Sequence, residues 1–415
     1  MTNLQPVRGT HDLLPDDRRR HRHVESLAQK ISGLYGFEEV ATPIFEFTDV
    51  FVRTLGDTSD IVTKEMYTFE TKGGESVTLR PEGTAGVARA FISNGLAQHV
   101  PVKVFYTGPM FRHERPQKGR QRQFHQIGVE LIGVEGPQAD IEVIALGHHI
   151  LKELGILEST TLEINSLGDV ESRTAFRAVL TEYFQSHESD LSEDSRNRLV
   201  KNPLRILDSK DEGDRKIVAG APDFAVHLND TSKAFIDTVL QGLTDLGIPF
   251  ERNPKLVRGL DYYCHTAFEF TTTELGAQSA VLAGGRYDGL IEQMGGPSTP
   301  GVGWAAGIER LAMLAGESPA RDRPISVIPV SADLVAQAQE LAQSLRNEGF
   351  FAEFSFTGNM KRRLKRADKS NARAALILGE DELKDGKVML RDLDSGEQEA
   401  IPLGSIVQTL HAKYN

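Results

Sequence analysis

A cluster of cationic side chains lies between two apolar segments within residues 104–133. The loop carries a single acid, Glu114, and the chain as a whole has a net charge of −12. Arginine binds phosphate oxygens through parallel N–H donors, and two flanking strands would keep such a loop rigid. The sequence therefore predicts a hairpin that holds a nucleoside triphosphate, with a nucleic-acid end approaching from the other side. The cations are Arg112, Arg115, Lys118, Arg120 and Arg122.

Two further arginines lie in apolar surroundings. Arg258 begins a predicted strand in LVRGLDYY, and Arg310 lies in GWAAGIERLAML, which predicts a helix over Trp304–Ala315. Arginine is seldom buried without an anionic partner, and the adjacent Glu309 cannot face it on a helix. A structural ion pair is one explanation of Arg310. The other is a clamp on a phosphoryl group, formed together with Arg112 and Arg258.

A second group of polar side chains could bind a small amphoteric molecule. Carboxylates and hydroxyls suit an ammonium group, and a carboxylate facing a ring N–H suits an imidazole. Gln126 and Glu130 are four residues apart, so on a strand both point to the same face. Each member taken singly is also compatible with a surface or turn position. The other members are Glu82 and Thr84 in RPEGTA and Tyr262 and Tyr263 in LVRGLDYY.

The elements that must position these residues indicate an α+β catalytic domain on an antiparallel sheet, interrupted by a helical insertion. Hairpin patterns with few βαβ crossovers favour the antiparallel sheet. A β-α-β-α-β alternation near the C-terminus predicts a separate α/β domain. The predicted boundaries are 1–170 with 251–318 for the catalytic domain, 171–250 for the insertion and 325–415 for the C-terminal domain.

The C-terminal domain has its own basic segment, with Asp368 as its only acid. Taken alone, such a segment is typical of a solvated amphipathic helix. In an acidic protein, on a separate domain, it also predicts a contact with a nucleic-acid backbone. Its cations are Lys361, Arg362, Arg363, Lys365, Arg366, Lys369 and Arg373.

Composition excludes several classes of protein. Cys264 is the only cysteine, which rules out an internal disulfide and indicates a reducing, cytoplasmic location. No apolar run reaches the roughly 18 residues of a membrane span. The pairs His21 with His23 and His148 with His149 lack further ligands in sequence, so we expect no structural metal.

Taken together, the motifs resemble those of class II aminoacyl-tRNA synthetases, and specifically the histidyl-tRNA synthetase family. The resemblance covers nearly the whole chain. YGFEEVATPIFE looks like motif 1 of the class, which implies a homodimer. The other matching strings are RGTHDLLP, TLRPEGTA, FRHERPQKGRQRQFHQIGVE, LVRGLDYY with TAFEF, GVGWAAGIERL, NSLG, NPLRILDSK and ILGEDEL.

That resemblance implies a two-step reaction with L-histidine, ATP accompanied by Mg²⁺, and tRNA(His). Histidine would attack ATP to give histidyl-adenylate, and the 3′ end of the tRNA would then accept the histidyl group. By the same resemblance Arg112 and Arg258 would be catalytic at the α-phosphate, and Arg310 would hold the γ-phosphate. Phe124 would stack on adenine, and Arg120 would also contact ATP.

The resemblance also assigns the amino-acid and tRNA contacts. Glu82, Thr84 and Gln126 would bind the ammonium and carboxylate groups of histidine, and Glu130 and Tyr263 would bind its imidazole. The full histidine-binding set is Glu82, Gly83, Thr84, Arg112, Gln126, Glu130, Arg258, Tyr262, Tyr263 and Tyr287. The tRNA-binding set is Arg115, Lys118, Arg122, Lys361, Arg362 and Arg363.

One alternative is a catalytically silent paralogue that serves as the regulatory subunit of ATP phosphoribosyltransferase in histidine biosynthesis. Such a paralogue typically lacks the C-terminal domain and some of the phosphate-binding arginines. Arg112, Arg258, Arg310 and the basic C-terminal domain are all present, which favours the enzyme. A nucleotide-dependent dehydrogenase is excluded because the chain has no dinucleotide fingerprint.

Overall fold

The computed structural model describes residues 4–56, 59, 61–117, 119–209, 211–257, 262–276, 280–317 and 319–414. Two predicted site residues, Lys118 and Arg258, lie outside these ranges. The chain forms two compact units, Met1–Pro319 and Ala320–Asn415. No helix among the described residues is long and apolar enough to cross a membrane.

The first unit contains the predicted antiparallel sheet. Its strands are β1 (Glu38–Glu39), β2 (Phe45–Phe47), β3 (Tyr67–Glu70), β4 (Ser76–Leu79), β5 (Val102–Phe111), β6 (Gln123–Ile132), β7 (Thr161–Ser166), β8 (Glu251–Arg252), β9 (Cys264–Thr271), β10 (Ala280–Arg286) and β11 (Gly301–Gly307). Its helices are α1 (Pro15–Leu34), α2 (Thr48–Leu55), α3 (Thr84–Ser93), α4 (Gln138–Glu153), α5 (Val170–Gln185), α6 (Glu193–Lys201), α7 (Glu212–Ala219), α8 (Asp230–Asp245), α9 (Leu290–Gln293) and α10 (Ile308–Leu314).

Eight of these strands form one sheet in the order β1-β5-β6-β11-β10-β9-β7-β8. Only the two edge pairs, β1 with β5 and β7 with β8, are parallel. Helices α1, α4, α8 and α10 cover one face with the largest apolar core of the unit. A second apolar cluster, to which α2, α3 and α9 contribute, packs on the other face. Strands β2, β4 and β3 form a separate small sheet. The predicted α+β class is confirmed.

The helix predicted over Trp304–Ala315 is wrong in its first half, since β11 extends to Gly307 and α10 begins at Ile308. Strand β11 lies in the middle of the sheet and is covered on both faces, so its sequence shows no alternation of apolar and polar residues. A side chain at Gly303 would collide with the neighbouring strand, because its Cβ would lie 2.3 Å from the carbonyl oxygen of Val129. The small residues that resemble a helical segment are therefore needed for close strand packing.

The predicted insertion consists of two parts that pack differently. Helices α5, α6 and α7 share a small core of their own, centred on Phe176, Leu180 and Phe224. Helix α8 instead contributes Ile236 and Val239 to the main core of the unit. The boundaries 171–250 stay a prediction, and this packing favours an end near residue 229.

The second unit has the predicted α/β alternation, followed by an additional hairpin. Its strands are β12 (Ile325–Pro329), β13 (Ala352–Phe354), β14 (Ala374–Leu378), β15 (Lys387–Asp392) and β16 (Gln398–Pro402). Its helices are α11 (Val335–Asn347), α12 (Met360–Lys369), α13 (Glu380–Lys384) and α14 (Ile406–Tyr414). The sheet order is β13-β12-β14-β15-β16, with parallel pairing in the first three strands and antiparallel pairing beyond β14.

Candidate active site

A cavity of about 260 Å³ opens on the first unit beside the β5–β6 hairpin and strands β9, β10 and β11. It brings together nine of the residues that the sequence predicts for the site. These are Glu82, Thr84, Arg112, Arg120, Phe124, Gln126, Tyr262, Tyr263 and Arg310. One cavity thus contains both the phosphate-binding and the amino-acid-binding candidates.

Glu130 lies beneath the polar end of this cavity and is held by two hydroxyl groups. The Thr84 hydroxyl donates to its Oε1 at 2.7 Å, and the Tyr287 hydroxyl donates to its Oε2. Tyr287 is itself buried and is not part of the cavity lining. Burial raises the pKa of Glu130 to about 8, although both hydrogen bonds oppose that shift. The folded environment therefore favours the protonated form of this carboxyl group.

Glu82 caps the helix that follows it. Its carboxylate accepts from the backbone N–H groups of Thr84 at 2.7 Å and of Ala85 at 2.8 Å, at the start of α3. Burial raises the pKa of Glu82 despite these hydrogen bonds. Gln126 lies on the same face of β6 as Glu130, as predicted from their spacing. The Oε1 atom of Gln126 is buried and has no hydrogen-bond partner among the described residues, so it is available to a ligand.

Gly83 and Gly128 enclose the ring of Tyr106, a residue that sequence reasoning did not single out. A Cβ atom at either glycine would lie 2.3 Å from a Tyr106 ring atom. The tyrosine is buried, so the glycines make room for an aromatic support beneath the amino-acid end. The only signal in the sequence is an aromatic residue on a strand whose neighbouring strand carries a glycine, and this pattern is common.

Three arginines converge at the other end of the cavity. The Arg112 Nε donates to the Pro81 carbonyl at 2.9 Å, and its guanidinium group lies 5.4 Å from the centre of the Phe124 ring. Arg310 donates to the carbonyl of Gly119 at 3.2 Å and to that of Ala280 at 2.7 Å. Burial, together with the charge of the nearby Arg120, lowers the pKa of Arg310. Main-chain carbonyls orient Arg112 and Arg310, and with Arg120 they bring three guanidinium groups to this end of the cavity, which suits a polyphosphate.

Several lining residues were not predicted. The carboxylate of Glu114 lies 2.6 Å from the Arg120 Nε and 3.8 Å from the Arg112 Nη1. It therefore lies between the two guanidinium groups and reduces their repulsion. Glu309 and Glu269 also line the cavity. Both glutamates lie in motifs quoted above, but a single acidic residue on a strand or helix does not by itself indicate a binding site.

Comparison with known proteins identifies the family. A family model described as histidyl-tRNA synthetase matches residues 9–311, and one described as anticodon binding domain matches residues 325–413. The histidine–tRNA ligase of Rhodospirillum rubrum is 63% identical over 411 residues, covering 99% of each chain. The chain belongs to the histidyl-tRNA synthetase family.

Solved structures of the histidyl-tRNA synthetase family share the whole fold. The crystal structure of apo Staphylococcus aureus histidyl-tRNA synthetase aligns with a TM-score of 0.83 at 35% identity, covering 98% of this chain and 99% of that one. A Bacillus halodurans structure, described as an ATP phosphoribosyltransferase regulatory subunit/histidyl-tRNA synthetase, aligns with a TM-score of 0.65 at 23% identity. That alignment covers 90% of this chain and 99% of the other, and it shows the fold alone.

The remaining hairpin cations occupy different positions in this synthetase fold. Arg115 is exposed on the loop. Arg122 donates to the carbonyls of Glu114 at 3.3 Å and of Arg8 at 3.4 Å, and therefore fastens the hairpin to the N-terminal segment. The tRNA contacts predicted for Arg115 and Arg122 stay predictions.

The basic helix of the anticodon-binding domain is α12, and one of its predicted tRNA-binding residues is buried. Arg363 is only 8% exposed, and its guanidinium group donates to the Pro329 carbonyl, so it faces the sheet and not a nucleic acid. The helix presents one apolar side to the sheet, and Arg363 lies on that side with Ala367. The predicted cations Lys361 and Arg362 are exposed, as are Lys365, Arg366 and Lys369.

Proposed function

We propose that this chain is a histidine–tRNA ligase that activates L-histidine with ATP and transfers it to the 3′ end of tRNA(His). The observation that carries the proposal is the division of one cavity into two chemically distinct ends. Gln126 and Thr84 line one end and offer polar groups to histidine, with Glu130 bound to the Thr84 hydroxyl just beneath them, whereas Arg112 and Arg310 line the other end and suit a triphosphate.

In the first step a carboxylate oxygen of histidine attacks the α-phosphorus of ATP, and pyrophosphate leaves. Arg112 faces the α-phosphate and stabilises the negative charge that develops there, while Arg310 holds the γ-phosphate. Arg258, which lies outside the described residues, is proposed to bridge the α-phosphate and the histidine carboxylate. In the second step the terminal hydroxyl of the tRNA attacks the carbonyl carbon of the adenylate, and AMP leaves.

The adenine of ATP is proposed to stack on Phe124, on the ring face that Arg112 does not contact. The Arg112 guanidinium group, on the opposite face of the Phe124 ring, would then hold that ring in place beneath the base. Mg²⁺ would enter with ATP as part of the substrate. Glu114 and Glu269 line the cavity and offer the carboxylate oxygens that this ion prefers.

Binding of histidine is proposed to depend on Glu130 and Tyr263 at the imidazole and on Gln126 and Glu82 at the ammonium group. The two carboxyl groups both have raised pKa values in the free protein. A cationic ligand favours the ionised form of a buried carboxyl group, so ligand binding would oppose the effect of burial on both pKa values.

The central test is histidine-dependent exchange of pyrophosphate into ATP by the purified full chain. We expect exchange with L-histidine and none with glutamine or with histidinol, which lacks the attacking carboxylate. Arg112→Lys should lower the exchange rate by roughly 10²- to 10³-fold, the scale of losing one transition-state donor. A matched control is Arg252→Lys on an exposed strand away from the cavity. Well-folded protein that binds ATP phosphoribosyltransferase and catalyses no exchange would support the regulatory subunit instead.

A homodimer is proposed through the small sheet of the first unit. Phe45 and Phe47 point to the same side of β2 and are 55% and 57% exposed, and Phe69 on β3 is 48% exposed. Three neighbouring exposed phenylalanines mark an interaction surface. We also place the enzyme in the cytoplasm, where its substrates are found.

Sedimentation velocity would test the dimer. The unaltered chain should sediment as a dimer, and the double variant Phe45→Glu, Phe47→Glu as a monomer. Val226→Glu is a suitable control, because Val226 is 75% exposed in the insertion. A chain that sediments as a monomer before any substitution contradicts this proposal.

A further inference from the structure

Two histidines and a glutamate from three different elements lie together behind the substrate cavity. His21 belongs to α1, His125 to β6 and Glu309 to α10. One nitrogen of each imidazole and one carboxylate oxygen all lie within 4.8 Å of one another. The imidazole rings of His21 and His125 meet edge to face, with their centres 5.5 Å apart. This group is assembled only by folding, since the three residues are far apart in sequence.

The two histidines lie on the opposite face of the sheet from the amino-acid pocket, whereas Glu309 also lines the substrate cavity. Side chains alternate along β6, so His125 points away from Phe124 and Gln126, which line the pocket. A second cavity of about 150 Å³ adjoins the group and is lined by His21 and Glu309. That cavity has room for water.

His21 and Glu309, the two buried members of the group, have lone pairs that no hydrogen bond among the described residues occupies. The Nδ1 atom of His21 is buried and has no hydrogen-bond partner among the described residues. An unpartnered buried nitrogen of this kind costs roughly 1–3 kcal/mol and calls for an explanation. The neutral imidazole, with a free ring nitrogen, is the form of histidine that binds metal ions.

Hydrogen bonds to His125 hold the Glu309 carboxylate in a fixed orientation toward the two histidines. Its carboxylate accepts from the backbone N–H of His125 at 2.9 and 3.0 Å and lies 2.9 Å from the Nδ1 atom of that residue. A carboxylate has about four acceptor positions, so further lone pairs remain for a cation. The contact with Nδ1 is a proton-bridged pair, and a metal ion that takes the place of the proton releases it to solvent.

We propose that His21, His125 and Glu309 bind a zinc ion, with a water molecule from the adjoining cavity as the fourth ligand. Two imidazoles and one carboxylate form an established three-residue donor set for an open tetrahedral zinc site. Bond lengths of about 2.0–2.2 Å place neighbouring ligand atoms roughly 3.3 Å apart. Glu309 and His125 would separate by a few tenths of an ångström. His21 would move inward, and no hydrogen bond to its Nδ1 restrains the ring.

The site adjoins the proposed substrate cavity, because Glu309 lines both cavities, and it contacts the same elements. His125 immediately precedes Gln126, and Glu309 immediately precedes Arg310. Zinc at this position would therefore tie α1 to the strand and the helix that carry two pocket residues.

The test is zinc binding by the metal-stripped, tag-free full chain, measured by isothermal titration calorimetry. We expect one tight zinc ion per chain, and a tetrahedral visible spectrum when Co²⁺ replaces Zn²⁺. His21→Gln should weaken binding by roughly a hundredfold or more, since even outer partners of zinc ligands contribute 10- to 100-fold. The matched control is His23→Gln, because His23 is exposed on the same helix and should leave zinc binding unchanged.

A second variant protects the test against misfolding. Glu309→Gln keeps an oxygen that can accept from the His125 backbone while removing the anionic ligand, so it should also lose the tight site. Thermal unfolding with and without Zn²⁺ provides a second readout, in which only the unaltered chain and His23→Gln gain stability. The proposal is overturned if the chain binds no tight zinc ion, or if His21→Gln and Glu309→Gln bind it as well as the unaltered chain. It is also overturned if the cobalt spectrum is octahedral.

Discussion

Glu130 shows how a single buried carboxyl group can be kept ready for a cationic ligand. It is 1% exposed, and its two oxygens are held by the hydroxyls of Thr84 and Tyr287. These hydrogen bonds do not offset the desolvation penalty of the charged form. Folding therefore favours the protonated form of Glu130, and a cationic ligand bound here would favour loss of that proton.

The raised pKa of Glu130 predicts that the stability of the folded protein falls as the pH rises. The pKa of Glu130 rises from 4.5 in the unfolded chain to about 8 in the folded one, so the folded state binds the proton more tightly. Its contribution to stability is fully present below pH 4.5 and is lost progressively as the pH rises through 8, with a total loss of about 5 kcal/mol. Glu130→Gln should remove this slope between pH 5 and 9.

Denaturant unfolding followed by tryptophan fluorescence would measure it, because Trp304 is the only tryptophan and is buried on β11. The exposed Glu348→Gln variant supplies the control. If the unaltered chain and Glu130→Gln show the same pH profile, the proton is not held at Glu130.

At the level of single residues, spacing alone predicted part of the site. Gln126 and Glu130 share a face because strand geometry requires it. Tyr106 and Glu309 could not be found in this way, because their roles depend on strands and helices that are distant in sequence. Arg363 was predicted to bind tRNA because it is basic like its exposed neighbours. Only the packing of α12 against the sheet shows that its side chain is buried.

At the level of elements, close contact between strand β5 and the start of α3 shapes the amino-acid end of the cavity. Gly83 has a φ of −97°, which any residue can adopt, so the constraint there is one of space and not of backbone conformation. The close approach of the Tyr106 ring leaves no room for a side chain.

Gly83→Ala should therefore destabilise the protein by about 1–3 kcal/mol and raise the KM for histidine in the exchange assay, because Thr84 must shift with the helix. Gly33→Ala in α1 is the matched control. No atom lies within 4 Å of a Cβ there, and the change should stabilise the helix by roughly 0.5–1 kcal/mol. Equal melting temperatures for the two variants would contradict the steric argument.

Most of the elements were also predicted correctly from the sequence. The prediction failed where the apolar pattern of a strand could not be told from that of a helix. The hairpin of β3 and β4 and the alternation in the second unit follow from turn residues and apolar spacing. Strand β11 was mistaken for helix, because a central strand of small residues shows no alternation and runs directly into α10. The hairpin of β15 and β16 was not anticipated.

At the scale of the whole molecule, each unit has its own apolar core. The first depends on the large sheet and its covering helices, and the second on β12 and β14 with α11 and α14. The substrate cavity is lined by residues of the first unit alone. Activation of histidine should therefore need only that unit, whereas recognition of tRNA should need both.

A chain that ends at residue 319 should keep histidine-dependent exchange within a few-fold of the full chain. Its charging of tRNA should fall by roughly 10²- to 10⁴-fold, the scale of losing one of two linked binding modules. In the full chain, Lys361→Glu with Arg362→Glu should likewise impair charging and spare exchange. Parallel loss of exchange and charging in the truncated chain would argue against this division of labour.

The helical insertion begins and ends at nearly the same point. The side chain of Asn229 donates to Asp169 at 2.8 Å, and its backbone N–H donates to Ser172 at 3.1 Å, so the two ends of the segment are fastened to each other. Because its two ends lie together, a segment of this kind can change in length with little strain on the sheet. Its first helix also reaches the cavity, since Arg173 donates to the carbonyl of Tyr263 at 2.6 Å. An exchange of helical modules at this point should therefore leave the catalytic domain intact only if α5 and Arg173 are kept.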